Sequence, residues 1–160
     1  TPGHALAHRA FEQGITIAEK IAGADPKPVL DDTVPQVVFS FPEAASVGLT
    51  LDQAKAREDV VEPKETAYPM LSNARMLMSG EGGSMTVVSG AFANNPDMQV
   101  VLGVHIVSPI ASDLIAEAEQ LVGNRVPLAD AARLIHPHPT FSETLGEALL
   151  KADGRPLHTR

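Results

Sequence analysis

The segment His136–Glu143, with the sequence HPHPTFSE, carries the groups of this chain best suited to acid–base chemistry. Two histidines alternate with two prolines, and a glutamate follows five positions after the second histidine. Proline fixes its own φ and moves the preceding residue out of the helical region. We therefore expect His136 and His138 to be extended, with side chains on roughly the same side. A metal site, a rigid turn and an acid–base pair are the three possible interpretations.

The glutamate of this segment has two possible roles. Thr140 and Glu143 have the spacing of a capping box, which would begin a last helix. The Glu143 carboxylate could instead accept a hydrogen bond from one nitrogen of His138, fixing its tautomer and leaving the other nitrogen free as a base. The residues leave both roles open. His136 and His138 have no third and fourth ligand at a suitable spacing, so we expect no metal site.

The other histidines and the glycine-rich stretch are interpreted as structural. His105 lies within a predicted strand, and His158 lies in a polar tail without a motif. The sequence GEGG at Gly80–Gly83 precedes a strand, whereas a phosphate-binding loop follows a strand and opens a helix. This stretch is therefore predicted to be a turn.

The composition limits the classes of protein to be considered. Apolar residues form 44% of the 160-residue chain and charged residues 20%, as in ordinary globular proteins. The net charge of −8 argues against a nucleic-acid partner, which would require clustered Lys and Arg. No apolar run approaches the roughly 20 residues that span a bilayer. No signal peptide opens the chain, so we expect no membrane partner and a cytoplasmic location.

The absence of cysteine excludes a disulfide scaffold and a thiol nucleophile supplied by this chain.

The first residues are predicted to form a separate helix. A helix from Leu6 to Ala22 would end at Gly23, and its apolar residues cover two sides, as in a helix packed between neighbours. The Pro- and Asp-rich sequence ADPKPVLDD then indicates a boundary. We accordingly assign residues 1–24 to a preceding domain, 25–34 to a linker and 35–160 to the main domain.

The main domain is predicted to contain a run of strands followed by a run of helices. The predicted elements are a strand Gln36–Phe41, a helix Leu51–Arg57 begun by a Thr50–Gln53 capping box, strands at Val60–Tyr68, around Val87 and within 98–107, a helix from Ser108 to Gly123, and helices at 128–134 and Phe141–Ala152. This order predicts an α+β fold. It should have a mainly antiparallel sheet of about four or five strands with helices packed on one face.

Several blocks of the sequence resemble one enzyme family. HPHPTFSE is similar to the His-x-His-Pro-Thr-x-Ser-Glu signature of the dihydrolipoyl dehydrogenases, members of the pyridine nucleotide–disulfide oxidoreductase family. LAHRAFEQG, VPQVVFSFPEAASVGLT and VLGVHIVSPIASDLIAEA resemble further blocks of these enzymes, in the same order between Leu6 and Glu147. Ser108, Pro137 and Phe141 depart from the family pattern without removing a reacting group.

The resemblance implies the C-terminal dimerisation domain of such an enzyme. His138 would be the acid–base catalyst and Glu143 its orienting carboxylate, and the pair would serve the redox disulfide of the other subunit in a homodimer. The complete enzyme would oxidise dihydrolipoamide, or a lipoyl domain, with FAD and NAD as cofactors. Flavin contacts would map onto four residues at the start of the chain, Ala5, Leu6, Ala7 and His8.

Three further expectations depend on the same resemblance. The peptide bonds before Pro42 and Pro139 should be cis. The chain alone should be inactive and should bind neither cofactor, because the dinucleotide fingerprints and the Cys-x4-Cys pair of the family would lie upstream.

Two alternative functions remain. One is the interface domain of a sister reductase acting on glutathione or a similar disulfide, against which His136 argues. The other is an interaction module without catalysis.

Overall fold

The structure, a computed structural model, describes residues 3–159 and divides into two compact units, Thr1–Val34 and Pro35–Arg160. In the first unit, helix α1 spans Ala7–Ile21, close to the predicted bounds. Arg9 is buried, and its Nε and Nη2 atoms donate to Asp31 Oδ1 at 3.1 and 2.8 Å. Part of the segment predicted as a linker is therefore tied to α1.

The second unit is built on one antiparallel sheet of five strands, in the order β1-β2-β5-β4-β3. The strands are β1 Gln36–Val38, β2 Glu43–Gly48, β3 Val60–Pro69, β4 Ser84–Phe92 and β5 Asn95–Ser108. The helices are α2 Leu51–Ala56, α3 Ala74–Ser79, α4 Ala111–Gly123, α5 Leu128–Ala131 and α6 Glu143–Ala152. The predicted α+β class, with a helix before the sheet, is confirmed.

The main core lies between one face of the sheet and helices α4, α5 and α6. Its buried side chains include Val47, Val87, Val104, Ile106, Leu114, Ile115, Leu128, Leu145 and Leu149. Helix α2 covers the other face of the sheet, because Ala54 belongs to a second buried cluster with Val88. Val87 and Val88 are successive strand residues and therefore point to opposite faces. Within residues 3–159, none of the helices combines the length and the apolar character needed to cross a membrane.

The predicted strand Gln36–Phe41 is wrong in its extent. Strand β1 ends at Val38, and Phe39 and Phe41 are exposed. The chain reverses here, and the Ser40 hydroxyl donates to the Pro42 carbonyl oxygen at 2.7 Å. The following residues, Glu43–Gly48, form strand β2, which was not predicted because most of its side chains are small or polar. Its strand conformation is stabilised by pairing with β1 and β5 on both sides.

Two predicted helix starts are also displaced. Helix α4 begins at Ala111, and Ser108 belongs to β5. A carboxylate from β2 contacts the first turn of α4, where Glu43 Oε2 accepts from the Ser112 N–H at 2.8 Å. This hydrogen bond holds the pKa of Glu43 below its usual value. Helix α6 begins at Glu143, after Phe141. By contrast, the Thr50–Gln53 capping box of α2 is confirmed, with both of its hydrogen bonds present.

Gly103 allows β2 and the residue after it to lie against β5. Gly103 pairs with Gly48, and a Cβ at position 103 would overlap the carbonyl oxygen of Leu49. The Leu49 backbone is fixed by its own hydrogen bond to the Leu102 carbonyl oxygen at 2.9 Å and cannot move aside cheaply. Gly103→Ala should therefore lower the free energy of unfolding by about 3 kcal/mol. Urea titration would measure this loss. Gly82→Ala is the control, since its Cβ would meet only the flexible Leu71 side chain, at 2.9 Å. Equal stability of the two variants would contradict the steric explanation.

Candidate active site

The candidate site lies in the segment between α5 and α6. His138 Nδ1 is 2.8 Å from Glu143 Oε1, and the Thr140 backbone N–H donates to Glu143 Oε2 at 2.8 Å. The two roles considered for Glu143 therefore occur together, one on each carboxylate oxygen. Only half of the predicted capping box is present, because α6 begins at Glu143 with Ser142, not Thr140, at the N-cap position. The Thr140 hydroxyl donates to the Pro137 carbonyl oxygen at 2.6 Å.

The electrostatics of the pair favour an ionised carboxylate. Partial burial would raise the pKa of Glu143, but the hydrogen bonds from the Thr140 N–H and from His138 outweigh it and hold that pKa below its usual value. An ionised carboxylate only accepts hydrogen bonds, so His138 Nδ1 must carry the proton. We assign the tautomer from this network, which leaves a lone pair on Nε2. The His138 side chain is 70% exposed and that of Glu143 only 20% exposed.

A surface groove of about 160 Å³ runs beside this pair. It is lined by Ser72, Asn73, Ala74, Leu77, His138, Glu143, Glu147 and His158. The groove therefore brings residues of α3, α6 and the C-terminal segment to the exposed imidazole.

His136 does not share the orientation of His138, contrary to the prediction for the two extended histidines. Its side chain is 10% exposed, and Nε2 lies 2.7 Å from Glu117 Oε1 on α4. The Glu117 hydrogen bond raises the pKa of His136. Gly146 of α6 explains the inward orientation, because a Cβ there would lie 2.6 Å from His136 Nδ1. Among residues 3–159, no group of three or more His, Asp or Glu side chains could hold a metal ion.

Comparison with known proteins then decides the family. Residues 34–149 match the family described as pyridine nucleotide-disulphide oxidoreductase, dimerisation domain. The chain belongs to this family.

The relatives of this dimerisation domain include dihydrolipoyl dehydrogenases. The enzyme of that name from Bacillus subtilis is 40% identical over 157 residues, covering 98% of this chain and 32% of the relative. That from Cupriavidus necator is 40% identical over 158 residues, covering 98% of this chain and 31% of the relative. The chain thus spans about a third of the length of these relatives.

Solved structures agree with this assignment. LpdA from Mycobacterium tuberculosis superimposes with a TM-score of 0.80 and 29% sequence identity, covering 92% of this chain and 31% of LpdA. The flavoprotein disulfide reductase RclA from Escherichia coli gives a TM-score of 0.76 at 18% identity, covering 92% of this chain and 33% of RclA. The second match supports the fold alone.

The residues predicted to contact flavin lie in the first unit, at the start of α1. Ala5, Ala7 and His8 are exposed and Leu6 is half-buried. Helix α1 has no side-chain cap at Leu6 and no acidic residue in its first turn, so the positive end of its dipole is not neutralised locally. The small exposed side chains of Ala5 and Ala7 leave room for a planar ring beside this backbone, and a helix N-terminus attracts electron-rich atoms.

Other features of the dimerisation domain were either anticipated or missed. The bonds Phe41–Pro42 and His138–Pro139 are both cis, as the resemblance implied. His158 lies in a tail without a motif and was given no role, yet its Nδ1 lies 2.7 Å from Glu147 Oε1. A signal was available, because Glu147 follows Glu143 by one helical turn and must lie on the same face of α6. His105 Nε2 contacts the Leu49 carbonyl oxygen at 3.1 Å, a structural contact.

Proposed function

We propose that this chain is the dimerisation domain of a dihydrolipoyl dehydrogenase and supplies His138 and Glu143 to the redox disulfide of the partner subunit. The observation that carries the proposal is the exposed imidazole held at Nδ1 by a partly buried, ionised carboxylate. The identity of 40% to dihydrolipoyl dehydrogenases over nearly the whole chain supports the substrate assignment.

The chemical need is for a base beside a thiol. A thiol with the ordinary pKa of about 8.5 is only a few per cent ionised at pH 7, and the thiolate is the form that attacks a disulfide. His138 Nε2 would take the proton of a dihydrolipoamide thiol, and the resulting thiolate would attack one sulfur of the enzyme disulfide. The Glu143 carboxylate would stabilise the imidazolium that forms. Such general base catalysis contributes about 10²–10⁴-fold to the rate.

The rest of the reaction requires groups outside this chain. The chain has no cysteine, so the redox disulfide must belong to another part of the complete enzyme. FAD, when bound there, would carry the two electrons from the resulting dithiol to NAD. Residues Ala5–His8 would contact the flavin largely through backbone atoms at the start of α1, apart from the Leu6 N–H, which donates to the His4 carbonyl oxygen at 3.0 Å. The chain alone is therefore expected to have no activity and to bind neither cofactor.

A homodimer follows from the proposed chemistry, since His138 would act on the other subunit. We expect the interface to include the sheet and the segments Ile110–Val122 and Phe141–Ala152. Exposed apolar side chains near the candidate site support an interface there, namely Leu77 and Met78 of α3 and Ile135. Dihydrolipoamide, free or on a lipoyl domain, would reach the site in the assembled dimer.

Hybrid dimers of the complete enzyme would test the exchange between subunits. One subunit would carry His138→Ala and the other would carry serines in place of the two redox cysteines. The hybrid keeps one complete site only if the histidine serves the partner, and it should then retain about half of the wild-type rate. If histidine and disulfide act within one subunit, the hybrid should be inactive with dihydrolipoamide and NAD. Glutathione disulfide, used as the alternative substrate, would distinguish a sister reductase.

A further inference from the structure

Asn73 connects two parts of the fold that are 67 positions apart in the sequence. It is 5% exposed and stands at the N-cap of α3, where its Oδ1 accepts from the N–H groups of Arg75 and Met76 at 2.9 and 3.1 Å. Its Nδ2 donates to the Thr140 carbonyl oxygen at 3.2 Å. The two ends of one amide therefore bind different segments.

Thr140 is held on both sides. Its carbonyl oxygen accepts from Asn73, and its own N–H donates to Glu143 Oε2. The other oxygen of Glu143 contacts His138 Nδ1. A continuous series of hydrogen bonds thus leads from Asn73 through Thr140 and Glu143 to the imidazole, and Asn73 itself lines the groove beside His138.

The cap alone does not require an amide at this position. Serine and aspartate are also strongly preferred N-cap residues, and both supply an oxygen to the first-turn N–H groups. The feature that asparagine adds is the amide nitrogen, which donates to Thr140. Capping of α3 and attachment of the loop can therefore be separated by substitution.

We propose that Asn73 is a positioning residue for the His138–Glu143 pair, through its hydrogen bond to Thr140. This inference rests on the proposed function. Without the amide nitrogen, the Thr140 backbone is released on one side, and Glu143 and His138 lose part of their fixed position. Misplacement by about 1 Å can cost up to about 10²-fold in rate. Loss of one anchor among several should lower kcat about tenfold.

The test uses the complete enzyme with Asn73→Ser and Asn73→Asp. Both variants keep an N-cap oxygen. Asn73→Ser adds no charge and should unfold close to the wild-type temperature. In Asn73→Asp the second carboxylate oxygen would face the Thr140 carbonyl oxygen, so this variant should unfold at a lower temperature. We expect kcat for dihydrolipoamide and NAD to fall about tenfold. The rate at which NADH reduces an artificial electron acceptor should stay unchanged, because that reaction needs no thiol deprotonation. Asn124→Ser is the control for the loss of an amide donor, since the exposed Asn124 amide donates to the Gln120 carbonyl oxygen outside the groove. This substitution should not change either rate.

The possible outcomes separate this inference from the proposed function. If His138→Ala keeps the wild-type rate, the proposed function fails and the inference fails with it. If His138→Ala is impaired while both folded Asn73 variants keep the wild-type kcat, only the positioning role is refuted. A parallel fall in both reactions would assign Asn73 to the stability of the fold and would also refute it. If Asn73→Ser fails to fold, Asn73→Asp decides between these outcomes, because aspartate has the same size as asparagine.

Discussion

His138→Ala in the complete enzyme should lower kcat for dihydrolipoamide oxidation by at least about 10²-fold, the low end of the usual contribution of a general base. The substitution removes the only proposed acceptor of the thiol proton. The side chain is 70% exposed, so its removal should leave the fold intact. Steady-state kinetics with dihydrolipoamide and NAD would measure the loss.

Two controls distinguish loss of the base from general damage. Reduction of an artificial acceptor by NADH should continue at the wild-type rate, because it bypasses the thiol step. Added imidazole should restore part of the lost rate by acting as a base from solution. A variant with a near-wild-type rate would make His138 a structural residue only.

Local sequence rules predicted the features of this domain that depend on local interactions. The capping box of α2 and most strand and helix positions follow from residues that are close in sequence. The contact between His138 and Glu143 is also local, because five positions separate the two residues. Their use by a second subunit was suggested only by the family resemblance.

The features that the sequence did not predict depend on contacts between distant residues. Strand β2 forms because β1 and β5 pair with it, although its own residues are weak strand formers. Glu43 contacts the first turn of a helix 69 positions later, and Asn73 binds a loop 67 positions later. The inward orientation of His136 depends on the missing side chain of Gly146. No periodicity or capping rule can reveal such contacts.

Glu143→Gln should lower kcat by about 10²-fold or more, even though the shape of the side chain is kept. The glutamine oxygen can still accept from the Thr140 N–H, which leaves the amide NH₂ facing His138 Nδ1. That group donates, so the neutral ring would carry its proton on Nε2 instead. The nitrogen that should accept the thiol proton would then be occupied. Exposed Glu65 on β3 provides the control, and Glu65→Gln should keep the wild-type kcat.

The same substitution should change the dependence of stability on pH. The pKa of Glu143 is lowered in the folded protein, so its ionised form stabilises the fold above the unfolded-state pKa of about 4.3. This stabilisation is lost as the pH falls through the lower pKa of the folded state. Glu143→Gln should therefore unfold at lower urea concentration than the wild type at pH 7, and the difference should shrink on acidification. A difference that persists unchanged at low pH would mean that the ionised carboxylate is not what stabilises the loop.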